Sequence, residues 1–149
     1  MSAISDVYDA LITRTTSVLT SHTRLSNPYK LDENPDILLR QGYGLAIGAG
    51  ENSNREFGCR LSIRREFTLS IVRRYAATDL DASGKGTTEK QIMEDAKLLV
   101  ADFEENTTLT TSGRIVKFLS DSGIQYVRSE TDKFMYCELI IETEYFETI

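Results

Sequence analysis

The stretch "FGCRLSIRREFTLSIVRRY", residues 57–75, alternates apolar and polar side chains over almost its whole length. A two-residue period of this kind is typical of a β-strand with one buried face. At about 3.3 Å per residue, one strand of that length would span roughly 60 Å. A compact chain of this size has a radius of gyration of only about 15 Å. The sequence therefore predicts a strand that projects beyond the domain or bends around its core.

The alternation runs through Arg64 and Arg65 without a change of phase. A two-residue hairpin at that point would usually need Asn or Gly, because its residues adopt positive φ. We therefore expect one bent strand, or two strands joined by a bulge. A projecting strand with one apolar face needs a cover, and a neighbouring subunit is the simplest one. The pattern predicts assembly of the chain with copies of itself.

Two helices and several further strands flank this stretch. Apolar residues at helical spacing predict one helix over residues 5–21 and a second from Thr88 to the "EENTT" segment. "GYGLAIG", residues 42–48, predicts a strand, and the turn formers of "GAGENSN", residues 48–54, predict a loop. Two more loops are expected at residues 26–36, which contain both prolines, and at residues 77–86.

The C-terminal third is again strand-like, and it completes the fold prediction. Strands are expected at residues 114–120, 123–129 and 133–147, the last two forming an antiparallel hairpin. This order predicts an α+β fold in a single domain, residues 1–149, with two α-helices packed on one face of a mainly antiparallel β-sheet.

Composition excludes several classes of protein. The net charge of −6 argues against general affinity for nucleic acid. No apolar run approaches the roughly 20 residues that a membrane span needs. The N-terminal stretch lacks the features of a signal peptide, so a cytosol-like compartment is expected. Cys59 and Cys137 fall on apolar phases of strands, and we expect buried thiols.

No motif of the sequence carries recognisable chemistry. His22 lies in the polar segment "TSHTR" and is expected to face solvent, without the oriented partner that acid–base catalysis needs. Asp79 and Asp81 resemble the start of a calcium loop, but the remaining ligands are absent. Glu142 and Glu144 are expected to point outward and guard a sheet edge. We therefore expect no catalytic, cofactor or metal site, and no enzymatic activity.

Arginines form the one unusual cluster of the sequence. The candidate interface residues are Arg60, Arg64, Arg65, Arg73 and Arg74, with Arg55 just before them. Three interpretations stay open: a solvated strand face, a contact with acidic groups of a neighbouring subunit, and a glancing contact with DNA phosphates. The absence of interleaved aromatic residues makes a base-stacking surface the poorer interpretation.

The chain resembles the tail terminator (tail completion) proteins of long-tailed bacteriophages over nearly its whole length. The resemblance rests on "DVYDALITRTTSVL", "QGYGLAIGAGENSN", "CRLSIRREFTLSIVRR" and "SGIQYVRSETDKFMYCELIIETEYFE". It lies in the layout of the elements, since the family has no catalytic signature. It implies a virion protein made in the host cytoplasm that forms a ring, commonly a hexamer, at the head-proximal end of the tail. The ring ends polymerisation of the tube and docks the neck.

The partners implied are copies of the same chain, the tail tube protein, and neck or head-completion proteins, with neither cofactor nor membrane. A passing contact with DNA in the lumen stays open. We expect the arginines on one side of the subunit interface and two loops facing tube, lumen or neck. The loop residues in question are Gly48, Gly50, Glu51, Asn52, Asn54, Asp79, Asp81 and Lys85. Another neck component, such as a head-completion or head–tail joining protein, and a small cellular binding module are the alternatives.

Overall fold

A computed structural model describes residues 3–25, 41–56, 60–74, 87–128 and 133–148. In chain order the elements are α1 (Ala3–Val18), β1 (Thr23–Arg24), β2 (Gln41–Glu56), β3 (Arg60–Arg74), α2 (Thr87–Glu105), β4 (Gly113–Asp121), β5 (Gln125–Arg128) and β6 (Lys133–Thr148). Neither of these helices is long and apolar enough to cross a membrane. The predicted loops at residues 26–36 and 77–86 lie outside the described residues.

The described strands join one sheet in the order β1-β2-β3-β6-β4, and β5 also pairs with β6. All pairs are antiparallel except β1 with β2, which pair only at Thr23–Gly42 and Arg24–Tyr43. The hairpin of β5 and β6 confirms the prediction for the C-terminal third. This order sets β2 and β4 at opposite sides of the central pair β3 and β6.

Strand β3 is continuous, as the sequence predicts. Its residues 60–74 pair with residues 134–148 of β6 without a shift in register, so the chain makes neither a hairpin nor a bulge at Arg64 and Arg65. Alternation then divides its side chains between two faces of the sheet. Phe67, Leu69 and Ile71 lie on one face and are fully or almost fully buried.

Both helices cover that face, which confirms the predicted α+β architecture. Helix α1 contributes Val7 and Leu11 to the core. Helix α2 contributes a stripe at the spacing of a buried helical face. The stripe consists of Ile92, Ala96, Leu99 and Phe103. Phe103 stacks on Phe118 of β4 with ring centroids 5.9 Å apart, which ties the second helix to the far side of the sheet.

The expectation that the apolar face of the long strand needs a second subunit is wrong for the described residues. Ile63, Phe67 and Ile71 are buried beneath helices of the same chain. Three long strands, β2, β3 and β6, run alongside one another, so the sheet is as long as the strand and no part of β3 lacks a neighbour. The prediction compared the length of the strand with the radius of a compact chain, and that comparison did not allow for an elongated sheet. Phe57, Cys59 and Tyr75, three of the apolar positions, lie outside the described residues.

The loop predicted at residues 48–54 is also wrong. These residues continue β2, which pairs with β3 as far as Glu56. Register shifts occur between Ile47 and Gly50 and between Asn52 and Asn54. Bulges of this kind accommodate extra residues without ending the strand. The glycines and asparagines therefore mark irregularities within a strand, and residues that resemble a turn locally are held by pairing with β3.

Candidate functional site

A partly buried polar cluster joins the segment that follows α1 to β2, β3 and α2. Arg73 donates from Nε to Asp95 Oδ2 at 3.0 Å and from Nη2 to Asp95 Oδ1 at 3.2 Å. Its Nη1 donates to Gln41 Oε1 at 2.7 Å, and Gln41 Nε2 donates to the Ser21 carbonyl at 2.9 Å. Two-point contacts between a guanidinium and a carboxylate are directional and charge-assisted. The cluster therefore fixes the relative positions of four elements.

His22 belongs to this cluster, so the expectation that it faces solvent is wrong. Its side chain is only 2% exposed, and Nε2 donates to Asp95 Oδ2 at 3.0 Å. Nδ1 is buried and finds no partner among the described residues. Asp95 follows His22 by 73 residues, so the local polar sequence could not reveal the contact. The contact orients an imidazole as a catalytic pair would, but Asp95 also accepts from Arg73, and Arg73 in turn donates to Gln41, so the contacts described link elements of the fold.

The electrostatics of Asp95 follow from these contacts. Burial raises the pKa of the carboxyl, whereas hydrogen bonds from His22 and Arg73 and the charge of Arg73 lower it. The favourable contacts prevail, and the pKa of Asp95 lies below its ordinary value. The carboxylate is therefore the stable form in the folded chain, which is what a permanent clamp needs.

The predicted arginine patch is divided between the two faces of the sheet. Arg65 and Arg73 lie on the face that the helices cover, since they alternate in phase with Phe67 and Ile71. Arg65 donates from Nε to Tyr145 Oη at 2.9 Å and from Nη1 to the Gly48 carbonyl at 3.0 Å. These two residues therefore satisfy polar groups inside their own subunit, and whether either also contacts a neighbouring subunit stays a prediction.

Arg64 and Arg74 occupy the opposite phase of β3, and Arg60 is the first residue of this strand. Arg64 approaches Glu144 at 3.3 Å and Glu142 at 3.5 Å, and Arg74 is half-buried. Whether any of these three arginines contacts a neighbouring subunit stays a prediction.

The open face of the sheet carries a ladder of ion pairs. Arg114 contacts Glu144 at 3.1 Å, and Lys117 lies 3.9 Å from Glu142. Together with Arg64, these residues place three cations around two carboxylates. The idea that the glutamates guard an edge is wrong, because β6 lies between β3 and β4. Their function in the fold is to balance positive charge across three strands.

A corner of the molecule at β2 exposes an apolar side chain. Ile47 is 52% exposed, although Tyr43 and Leu45, which precede it on the same face of β2, are buried. Residues of the first turns of α1 surround it, namely Ile4, Ser5, Tyr8 and Asp9. We call this surface the β2 corner. Tyr8 is held there by Arg24, which donates to its hydroxyl at 3.0 Å, and Tyr8 Oη donates to the Leu45 carbonyl at 3.3 Å.

A groove of about 360 Å³ lies beside α2, towards the edge of the sheet that β4 forms. Six residues of α2 line it: Met93, Ala96, Lys97, Val100, Ala101 and Glu104. Asp121 of β4 and Leu139 of β6 complete it, and we call it the α2 groove. The helical residues recur at intervals of three and four, so they form one stripe. Met93, at 39% exposure, and the half-buried Val100 make this stripe largely apolar.

The remaining candidate residues lie as follows. Gly48, Gly50 and Glu51 are in β2 near the first register shift, and Asn52 and Asn54 are at the second. Asp79, Asp81 and Lys85 fall outside the described residues. Among the residues described, no group of three or more His, Cys, Asp or Glu side chains could hold a metal ion.

Cys137 is a buried free thiol, as predicted, and burial raises its pKa. A raised pKa keeps the group protonated, and the thiol is correspondingly unreactive.

No protein-family model and no curated protein matches the chain. Among solved structures, a chain in the virion of a native gene transfer agent (GTA) particle is similar to it, with a TM-score of 0.50 and 16% sequence identity. The match covers 98% of this chain and 95% of that chain. At this identity the likeness concerns the fold, and it does not distinguish a tail terminator from another protein of such a particle.

Proposed function

We propose that the chain is a structural protein of a phage-like virion and acts as its tail terminator. In this function it forms a ring, hexameric as the resemblance implies, at the head-proximal end of the tail tube. The ring ends polymerisation of the tube and offers a docking surface to the neck. The role involves no chemical step, and the proposal therefore includes no enzymatic activity.

One observation carries this proposal. The likeness to a chain of a gene transfer agent virion extends over 98% of this chain and 95% of that one, so it concerns nearly the whole of both chains. It agrees with the independent resemblance of the sequence to tail terminators. The likeness in fold and the resemblance in sequence both indicate a protein of a phage-like particle, although they rest on different features of the molecule.

The surfaces support a subunit that binds its own copies. Exposed apolar residues occur at the β2 corner and at the α2 groove, on opposite sides of one sheet. Two different surfaces on one subunit produce heterologous contacts, and these close into a ring when each step adds a suitable rotation. A binding module would instead be expected to enclose its ligand in a pocket.

The test is a size measurement with and without the tail tube subunit. Sedimentation velocity should show a ring of several subunits, formed either alone or on addition of tube subunits. Electron microscopy should show the protein at one end of tubes whose growth has stopped. A chain that stays monomeric at high concentration and in the presence of tubes would overturn the proposal.

A second neck component, such as a head-completion or head–tail joining protein, would also form a ring. The position of a labelled subunit in assembled particles distinguishes the two. Label at the tube end supports the terminator, whereas label on the head portal, with tubes left to grow, supports the alternative.

A further inference from the structure

We propose that the β2 corner of one subunit docks into the α2 groove of a second copy of the same chain, with Ile47 as the apolar anchor. This inference rests on the proposed ring and deepens it by naming the two surfaces that meet. It builds the contact on exposed apolar side chains instead of on the arginines of β3, among which Arg64, Arg65 and Arg73 already have partners in their own chain.

The two surfaces lie towards opposite edges of the sheet. In the sheet order β1-β2-β3-β6-β4, β2 and β4 lie on opposite sides, and β1 covers only Gly42 and Tyr43 of β2. Ile47 and Leu139 both belong to the face that the helices cover. Subunits placed side by side, with their sheets edge to edge, would therefore bring the β2 corner of one towards the α2 groove of the next.

The α2 groove faces away from α1 of its own chain. Asp95 and Asp102 of α2 contact His22 and Arg14, so this side of the helix points to α1 and the segment after it. At about 100° per residue, Lys97 lies roughly opposite Asp95 around the helix. The groove is thus on the outer flank of the helix pair, where a neighbouring subunit can reach it.

The two surfaces also match in chemistry. Ile47 has an acidic neighbour, Asp9, and the apolar stripe of the α2 groove contains a cation, Lys97, between Met93 and Val100. Seating Ile47 against the stripe would bring Asp9 close to Lys97. Glu104 and Asp121, the acidic residues that line the groove, would repel Asp9 in other registers. Such repulsion and the attraction between Asp9 and Lys97 together determine how the two subunits are oriented.

The size of Ile47 is consistent with an anchor and not with a whole interface. A specific protein interface buries about 800 Å² on each partner, far more than a single isoleucine supplies. Within such interfaces a few residues account for most of the affinity. We therefore assign Ile47 and the α2 groove to the centre of a wider contact along the two sides of the sheet.

The experiment compares self-association of the full chain with that of three variants, with and without tube subunits. Ile47→Asp alters the corner, and Met93→Glu alters the groove. Leu98→Glu is the matched control, because Leu98 is 55% exposed on the same helix yet lies outside the groove. Thermal melts verify that each variant is folded.

We expect Ile47→Asp and Met93→Glu each to weaken self-association at least about tenfold, as loss of an interface anchor does. Leu98→Glu should assemble as the unmodified chain does. A mixture of the two defective variants should form dimers and stop there, since each retains one intact surface. Exchange of the charges, Asp9→Lys with Lys97→Asp, should restore assembly that either change alone reduces.

Several results would overturn the inference. Normal rings from folded Ile47→Asp or Met93→Glu would do so while leaving the ring, and with it the proposed function, in place. Equal loss of assembly in Leu98→Glu would show that the groove has no special part. Conversely, rings that depend on Ile47 but never locate to tube ends would support this interface and contradict the tail terminator.

Discussion

Ile47 and Phe67 are directly opposed partners on β2 and β3, yet Phe67 has no exposed surface and Ile47 is 52% exposed. Phe67 lies in the middle of the sheet, where the ring of Tyr8 approaches to 6.5 Å between centroids. Ile47 lies one strand further out, beside the first turns of α1. A single step across the sheet thus separates the core from the surface to which we assign a partner.

The pair supplies a matched test of stability. Phe67→Ala removes a fully buried ring, and we expect the free energy of unfolding to fall by about 3–5 kcal/mol. Ile47→Ala should change it by no more than about 0.5 kcal/mol, the usual range for exposed positions. Urea denaturation of both variants below the concentration of assembly measures the difference. Equal losses would contradict the burial of Phe67 relative to Ile47.

The second prediction concerns the clamp of Arg73 and Asp95. Arg73→Ala leaves a buried carboxylate without its guanidinium, and breaking a buried pair in this way costs about 3–5 kcal/mol. Arg64→Ala removes two ion pairs at the surface, each of which is worth about 0.2–1 kcal/mol. The Arg73–Asp95 and Arg64–Glu144 contacts have similar lengths, 3.0 and 3.3 Å, so the two variants differ mainly in how deeply the ion pair is buried. Similar denaturation midpoints for both would argue against the clamp.

The third prediction is a dependence of stability on pH. The pKa of Asp95 lies below its ordinary value in the folded chain, so its carboxylate stabilises the fold at any pH above the unfolded pKa. That contribution is lost as the pH falls from the unfolded value of 3.8 through the lower folded value. Asp95→Asn should be less stable at neutral pH and should lose less stability on acidification. Parallel curves of unfolding free energy against pH would contradict this.

The sequence predicts those elements that local patterns determine. The helical spacing of Ile92, Leu99 and Phe103 predicts α2, and the alternation from Leu61 to Ile71, which Arg65 interrupts, predicts β3. Each pattern arises because one face of the element is buried, so it does not depend on which other elements cover that face. The fold class followed from their order along the chain.

Contacts between distant residues explain where prediction failed. His22 resembles a surface histidine in its local sequence, because its partner Asp95 lies 73 residues further along the chain. Gly48 to Asn54 resemble a loop, because the pairing with β3 that makes them a strand is set by the partner and not by their own preferences. Arg65 and Arg73 interrupt the apolar face of β3, and their partners, Tyr145 and Asp95, could be identified only in three dimensions.

The fourth prediction tests how closely α1 packs on the sheet. A Cβ atom added at Gly113 would lie 2.5 Å from Val7 Cγ2, well inside contact distance. We expect Gly113→Ala to cost about 1–3 kcal/mol through overpacking. Because the obstacle is a side chain, Val7→Ala should relieve it, and the double variant should lose less than the sum of the single losses. Additive losses in denaturation experiments would show that Val7 is not the obstacle.

The fifth prediction separates two views of the subunit contact. An interface built on arginines requires that Arg64→Glu and Arg74→Glu abolish assembly of a folded subunit. Arg64, however, already lies within 3.5 Å of Glu142 and 3.3 Å of Glu144 in its own chain, so its charge is balanced without a partner. We expect Arg64→Glu to place three carboxylates together, to lower the unfolding free energy by about 1 kcal/mol, and to leave assembly intact.

Arg114→Glu, which faces the same Glu144 from β4, is the matched control. Sedimentation velocity decides between the two views. Loss of assembly in folded Arg64→Glu, with normal assembly of Arg114→Glu, would restore the arginine interface and move the contact from the edges of the sheet to its open face.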